Sequence, residues 1–424
     1  MNLGFLFLVW LGLMFGGMPV AYSLGISSAV YILGVGENPI FVAQRMVAAP
    51  SFVLLAVPFF LLAGNLMNAG GITRRLVDFA DVLVGWMRGG LAHVVVVTNM
   101  IMAGMSGSAV ADATGTGSVL IPALEQDGYP KKYAAALVAA AATIGPIIPP
   151  SIPMVIYGVT AGVSVGALFL GGIVPGVIMG LTLMIKAGRD VRRWPTFGRP
   201  RPSRQESVER TLKALPALLL PVIILGGILG GAFTPTEAAV VATVYALLLG
   251  ILVYRELTIG GAARAILETC ETTAVLLYII ATANLFGWIM AREQMPTLMV
   301  SFLTGFSTNP WIILGLLNLL LLFLGTIMDA APIIMIVTPL LLPILAKVGI
   351  DPVHFGVVMV LNLMIGTLTP PYGILLFMMS RLTGIPFHEV VRAVFPFLVP
   401  LLVALALTTY LPGVVMAIPR WLLP

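Results

Sequence analysis

The chain is 424 residues long, 59% hydrophobic and only 9% charged, with a formal net charge of +5 at pH 7. A soluble domain keeps about 25% charged residues for its water-facing surface, so a soluble globular fold is excluded. The single Cys270 excludes an internal disulfide, and three histidines with one cysteine supply no transition-metal cluster.

Runs without any charge occur at 53–66, 214–229 and 396–407. A membrane-crossing helix needs roughly 20 mainly apolar residues, and the chain offers that length many times over. Barrel strands would instead give short alternating segments. The fold class is therefore an all-α polytopic membrane protein set in a lipid bilayer. Its positive charge reads as topology and not as nucleic-acid binding, because Lys and Arg collect in cytoplasmic loops. At the start, Met1-Asn2-Leu3-Gly4 carries no basic residue, so the first apolar run reads as a retained span and not as a signal peptide.

Segment 73–88 mixes charged and apolar residues, as does 256–267; each reads either as an interfacial helix or as a loop. Segment 89–124 is preceded by Arg74, Arg75 and Arg88 and followed by Lys131 and Lys132. Basic residues on both flanks put both ends on the cytoplasmic side. With Gly104, Gly107, Gly115 and Gly117 inside it, this stretch fits a re-entrant helical hairpin better than a span. A discontinuous transmembrane helix follows over about 131–163, interrupted at Gly145-Pro146-Ile147-Ile148-Pro149-Pro150-Ser151. The chain returns along 166–185. Nine basic residues then fall between Lys186 and Lys213, together with Pro195, Pro200 and Pro202, so 188–213 reads as a non-helical cytoplasmic linker.

Beyond the linker the pattern recurs. Gly366-Thr367-Leu368-Thr369-Pro370-Pro371-Tyr372 repeats the break at an offset of 221, which also pairs Pro122 with Pro343 and Gly128 with Gly349. The run Gly325-Thr326-Ile327-Met328-Asp329 resembles Gly104-Met105-Ser106-Gly107-Ser108 with Asp112. Thr234-Pro235-Thr236-Glu237-Ala238 stands where Met18-Pro19-Val20-Ala21 stands earlier, and its Thr and Glu form a helix-start signal. The second hairpin, about 308–345, has few basic flanks and so opens from the opposite face. Its discontinuous helix covers about 353–381. The expected plan is two inverted-topology repeats, 1–187 and 214–424, joined by the linker 188–213.

Each hairpin carries one acid, Asp112 in the first and Asp329 in the second. An ionised group at mid-membrane costs about 2.5–3.5 kcal/mol on insertion scales. Each Asp either caps the second half-helix or helps neutralise a bound cation. Ser106, Gly107 and Ser108 either supply hard oxygen ligands or simply ease helix packing. Paired prolines remove amide donors, so each break presents carbonyls that must find water, protein or an ion. Two cation sites follow. The first gathers Ser106, Gly107, Ser108, Gly145 and Pro149; the second gathers Gly325, Thr326, Asp329, Gly366 and Thr369. An anionic substrate would lie between the half-helix N-termini, facing Ser108, Asp112, Pro150, Ser151, Thr326 and Pro370. Asn65, Asn284, Asn318 and Asn362 read as interhelical packing residues. No clustered nucleophile, base and metal ligands are visible, so an enzyme is not expected.

The hairpin Ser106-Gly107-Ser108-Ala109-Val110-Ala111-Asp112, the break from Gly145, the Phe-Thr-Pro-Thr-Glu-Ala run from Phe233 and the Thr-Pro-Pro-Tyr-Gly run from Thr369 together resemble the large membrane subunit of tripartite ATP-independent periplasmic (TRAP) transporters. The resemblance implies sodium-driven symport of an organic anion, commonly a carboxylate, across the bacterial inner membrane. It implies two partners, a periplasmic substrate-binding protein and a small four-helix membrane subunit, with Na+ as coupling ion and no other cofactor. It also implies an elevator mechanism, in which the hairpins and broken helices move against a scaffold. A stand-alone sodium- or proton-coupled anion carrier and a non-transporting scaffold subunit are the alternative readings.

Overall fold

Residues 3–48, 52–193 and 200–423 are described by the computed structural model, and they form twenty α-helices with no β-strand among them. Helices α1 (Leu3–Phe15), α2 (Val20–Gly34) and α3 (Ile40–Val47) open the chain. Helix α4 (Ala56–Ala69) and the amphipathic α5 (Ile72–Val84) follow, bent by 75° at the turn between them. Helices α6 (Gly90–Ser106) and α7 (Ala109–Gln126) form one hairpin. Helices α8 (Lys131–Ala142) and α9 (Ile152–Ala161) flank the first break, and α10 (Val165–Asp190) leads to the linker. Beyond it come α11 (Arg204–Leu229), α12 (Pro235–Leu248, continued by a π-turn to Val253), α13 (Ile259–Arg292) and α14 (Met295–Phe306). Helices α15 (Pro310–Gly325) and α16 (Ala330–Val348) form the second hairpin, and α17 (Pro352–Gly366) and α18 (Ile374–Thr383) flank the second break. Helices α19 (Phe387–Tyr410) and α20 (Pro412–Leu422) end the chain.

Six helices among the described residues are long and apolar enough to cross a membrane: α10, α11, α12 with its π-turn, α13, α16 and α19. The polypeptide is a multi-pass helical membrane protein. Helix starts are closed by side chains that accept from backbone N–H groups, including Ser108, Ser151, Ser164, Thr234 and Asp351. Such caps contribute about 1 kcal/mol each in water, and they matter more where no water can replace them.

The centre of the fold is formed by the helices beside the breaks. Every residue from Tyr133 to Ala142 of α8 and from His354 to Gly366 of α17 is buried. Seven of the twelve residues of α8 are alanine, which lets α6, α7 and α19 approach closely on several sides. Helices α2, α4, α12 and α13 pack together as a second group. The intramembrane asparagines tie helices together. Asn65 donates to Thr269 Oγ1 (2.9 Å), Asn284 to the Arg45 carbonyl (2.9 Å) and Asn318 to Thr409 Oγ1 (2.9 Å). Asn362 donates to Asn318 Oδ1 at 2.7 Å.

Two expectations are corrected. The stretch 188–213 is not uniformly non-helical, because α10 runs on to Asp190 and α11 begins at Arg204. All three prolines precede Ser203, which with Glu206 forms a capping box that starts α11 while the sequence is still polar. Pro195 and Arg199 lie outside the described residues. The segment 256–267 is neither a separate interfacial helix nor a loop. From Ile259 onward it is the first part of the 34-residue α13, which Thr258 caps and no proline interrupts.

Candidate functional site

The first hairpin turns at Gly107, whose φ of +60° is a left-handed conformation that favours glycine. A Cβ there would also lie 2.6 Å from the Pro150 carbonyl oxygen. The tip touches the break directly, with the Ile152 N–H donating to the Gly107 carbonyl at 3.5 Å. Ser108 then caps α7, accepting from Ala111 N at 3.4 Å. Asp112 is therefore not the cap. It sits one turn further in, fully buried, where Oδ1 accepts from Ser106 Oγ. Its other oxygen, Oδ2, has no hydrogen-bond partner among the described residues. That oxygen is aimed at the break, since a Cβ on Gly145 would lie 2.3 Å from it. A buried carboxylate with one unpartnered oxygen either holds a proton or neutralises a cation. Within the break, Ser151 donates to the Pro146 carbonyl and caps α9 through Met154 N (3.2 Å).

The second tip has the same contacts and different electrostatics. Asp329 is the N-cap of α16, accepting from Ala330 N at 2.8 Å. The Tyr372 N–H donates to the Thr326 carbonyl at 2.9 Å, tying tip to break. Gly325 meets Gly366 backbone to backbone, and a Cβ on Gly366 would lie 2.7 Å from Gly325 Cα. The hydroxyl protons of Thr326 and Thr369 point back to carbonyls of their own helices, Phe323 (2.7 Å) and Ile365 (3.0 Å). Their oxygen lone pairs remain to accept. The peptide bonds Pro149–Pro150 and Pro370–Pro371 are both cis.

A cavity of about 1070 Å³ lies against both tips and is lined by α4, α5, α7, α9, α13, α16, α17 and α18. Ser108 and Gly107 line it from the first tip and Asp329 from the second, with Pro146 and Thr367 from the breaks. Ser106, Asp112, Gly145, Pro149, Pro150 and Ser151 are buried behind that lining, as are Gly325 and Gly366. Thr326, Thr369 and Pro370 are half-buried and lie outside it. Along α7 the cavity runs from Ser108 at the tip down to Val119, toward the base of the hairpin. That base lies against the linker end of α10, where a Cβ on Gly89 would meet Val191 at 2.4 Å. The cavity thus extends from the tips toward the linker side.

Several site residues escaped the sequence reading. Thr116 donates to the Asp112 carbonyl (2.7 Å) and faces Asn99 Oδ1 (3.4 Å), bracing the first hairpin. Arg74, Arg264, Glu268 and Glu271 line the cavity from α5 and α13. The last three recur at intervals of four and three residues, a one-sided charge stripe that could have been read from the sequence.

Residues 7–414 match the family described as "Tripartite ATP-independent periplasmic transporter, DctM component". The sialic acid TRAP transporter large permease protein SiaM of Vibrio cholerae is 45% identical, over 97% of each chain. The C4-dicarboxylate TRAP transporter large permease protein DctM of Pseudomonas aeruginosa is 43% identical, over 100% of this chain and 99% of its own. The isethionate TRAP transporter permease protein DctMQ of Oleidesulfovibrio alaskensis is 42% identical over 94% of this chain, which spans 64% of that longer protein. Among solved structures, the Alcanivorax borkumensis YdaH transporter shares the fold with a TM-score of 0.61 at 16% identity, covering 88% of this chain and 87% of its own. The chain is a transport permease and not an enzyme, and it belongs to the family of large membrane subunits, or DctM components, of TRAP transporters.

Proposed function

We propose that the chain is the sodium-coupled carrier of a bacterial inner-membrane system for uptake of an organic anion, delivered by a periplasmic binding protein. The observation that carries this reading is the buried, unpartnered Oδ2 of Asp112, held against the first break beside Ser106 and Gly145. A hard monovalent cation is satisfied by such oxygens, and the carbonyls of an interrupted helix add to them. The second site uses the Asp329 tip with Gly325, Thr326, Gly366 and Thr369. Ser108 and Asp329 line the cavity and meet the substrate between the two sites.

In this reading 1–187 and 214–424 are inverted repeats, and 188–213 lies in the cytoplasm. The cavity then faces the cytoplasm, as after delivery of cargo. The hairpins and broken helices move together against a scaffold that includes α4 and α13. Small residues where α4 meets the first hairpin favour sliding, with Gly64 against Ser106 and Gly115 against Asn68. Relatives named for sialic acid and for C4-dicarboxylates support a carboxylate as the substrate. The fused relative DctMQ supports a small membrane subunit as partner.

The test is uptake into proteoliposomes holding this chain and its small subunit, with the binding protein outside and an inward sodium gradient. Uptake that needs all three proteins and sodium is expected. Full uptake by this chain alone would make it a stand-alone carrier, and uptake indifferent to sodium would remove the coupling.

A further inference from the structure

Helix α13 carries three charged side chains, Arg264, Glu268 and Glu271, that line the cavity. Their spacing places them on one face across two helical turns. None has an oppositely charged partner at ion-pair distance among the described residues, although Arg264 and Glu268 stand four residues apart. They precede the apolar stretch of α13, and as exposed, unpaired charges on the cavity wall they meet whatever enters it.

The surrounding hydroxyls define what such cargo must bring. Thr114 and Ser118, which also line the cavity, donate their protons to the Val110 and Gly115 carbonyls at 2.9 Å each. Thr272, on the α13 side, does the same to the Glu268 carbonyl (2.9 Å). These hydroxyls offer the cavity lone pairs and not protons, and the two carboxylates offer only lone pairs. Arg264 is the cation on this wall, with Arg74 of α5 also at the cavity. Between α7 and α13 the cavity therefore combines a cationic point with an excess of acceptors. A carboxylate bearing hydroxyl or amide groups answers both. A dicarboxylate brings acceptors only, and its second charge would meet Glu268 and Glu271.

Resting on the anion-uptake reading above, we propose that Arg264, Glu268 and Glu271 form a discriminating wall that accepts a singly charged, hydroxyl-bearing anion and rejects a second carboxylate. Arg264 receives the carboxylate, and Glu268 and Glu271 accept from its hydroxyls. Specificity then has a repulsive component as well as an attractive one. A site that depends on cargo hydroxyls also rejects analogues that lack them.

The experiment measures binding to the purified assembly of this chain and its small membrane subunit in sodium chloride, by thermal shift and titration. The probes are gluconate, succinate and hexanoate: a hydroxylated monocarboxylate, a dicarboxylate and an unhydroxylated monocarboxylate. Gluconate should stabilise the assembly and the other two should not. Arg264→Gln should weaken gluconate roughly tenfold to hundredfold, the size of a lost charged hydrogen bond, and Arg264→Lys should restore part of it. The double variant Glu268→Gln with Glu271→Gln should let succinate bind. Equal binding of succinate or hexanoate by the unaltered protein, no response to gluconate, or an Arg264→Gln variant that binds gluconate normally would each overturn the proposal. Replacing sodium by choline separates this failure from that of the transport reading. Sodium-dependent binding of succinate would sink the wall and leave sodium-coupled anion transport standing.

Discussion

The two hairpin tips are built from the same parts and treat their acids differently. At the first tip Ser108 takes the cap, and Asp112 is left fully buried with one oxygen unpartnered and turned toward Gly145. At the second tip Asp329 is itself the cap, held by the Ala330 N–H and lining the cavity. A carboxylate that accepts from a helix N-terminus is already stabilised by donors and by the helix dipole. One whose second oxygen is buried without a donor depends there on a counter-ion or a proton. The lesson is that equivalent positions in sequence need not be equivalent in electrostatics, and that the first tip should be the more sensitive to loss of charge.

The largest expected effect tests that contrast. Asp112→Asn should lower sodium-dependent uptake by about a hundredfold or more, the consequence of losing one partner of a buried charge pair. Asp329→Asn keeps a competent cap and should cost about tenfold or less. Equal losses, measured as initial uptake rates against sodium concentration, would erase the distinction.

A smaller effect sharpens the comparison at the turns. Gly107→Ala forces a side chain into a left-handed conformation, at about 1–2 kcal/mol, and against the Pro150 carbonyl. Gly325 has no positive φ, and a Cβ there would lie 3.2 Å from Gly366 Cα. Gly325→Ala should therefore lower the melting midpoint in detergent less than Gly107→Ala does.

The smallest effect concerns the braces behind the tips. Asn318 links α15 to α17 and α19, whereas Thr116 only braces α7 against α6. Membrane hydrogen bonds average about 0.6 kcal/mol, so Asn318→Ala should lower thermal stability by roughly twice as much as Thr116→Val. The reverse order would show that the first hairpin is the more tightly tied.

What could be read from the sequence was what proline, glycine and charge enforce locally. Paired prolines cannot continue a helix, and α8 and α17 stop at Ala142 and Gly366, just before or within the runs named from sequence. Gly107 marked a turn because only a small residue suits that backbone. The identity of the cap was not legible. Ser108 and Asp112 both cap well in principle, and the choice between them depends on how α7 leaves the turn. The cavity wall was missed for a different reason. Arg264, Glu268 and Glu271 lie far along the chain from either hairpin, and only packing brings α13 to face α7. The linker was over-extended because the count of basic residues outweighed the capping box at Ser203 and Glu206.

The burial of α8 has a consequence for how the protein is made. An alanine-rich segment gains little from lipid, and α8 is not among the helices apolar and long enough to cross alone. It is held in place by its neighbours, including α19, to which Lys132 is joined through Glu389 at 2.6 Å. Helix α19 starts only at Phe387, long after α8 has ended at Ala142. The break at Gly145 therefore acquires its full enclosure only after α19 has joined α8 in the bilayer. A nascent chain holds α8 and the break without their full packing until that moment.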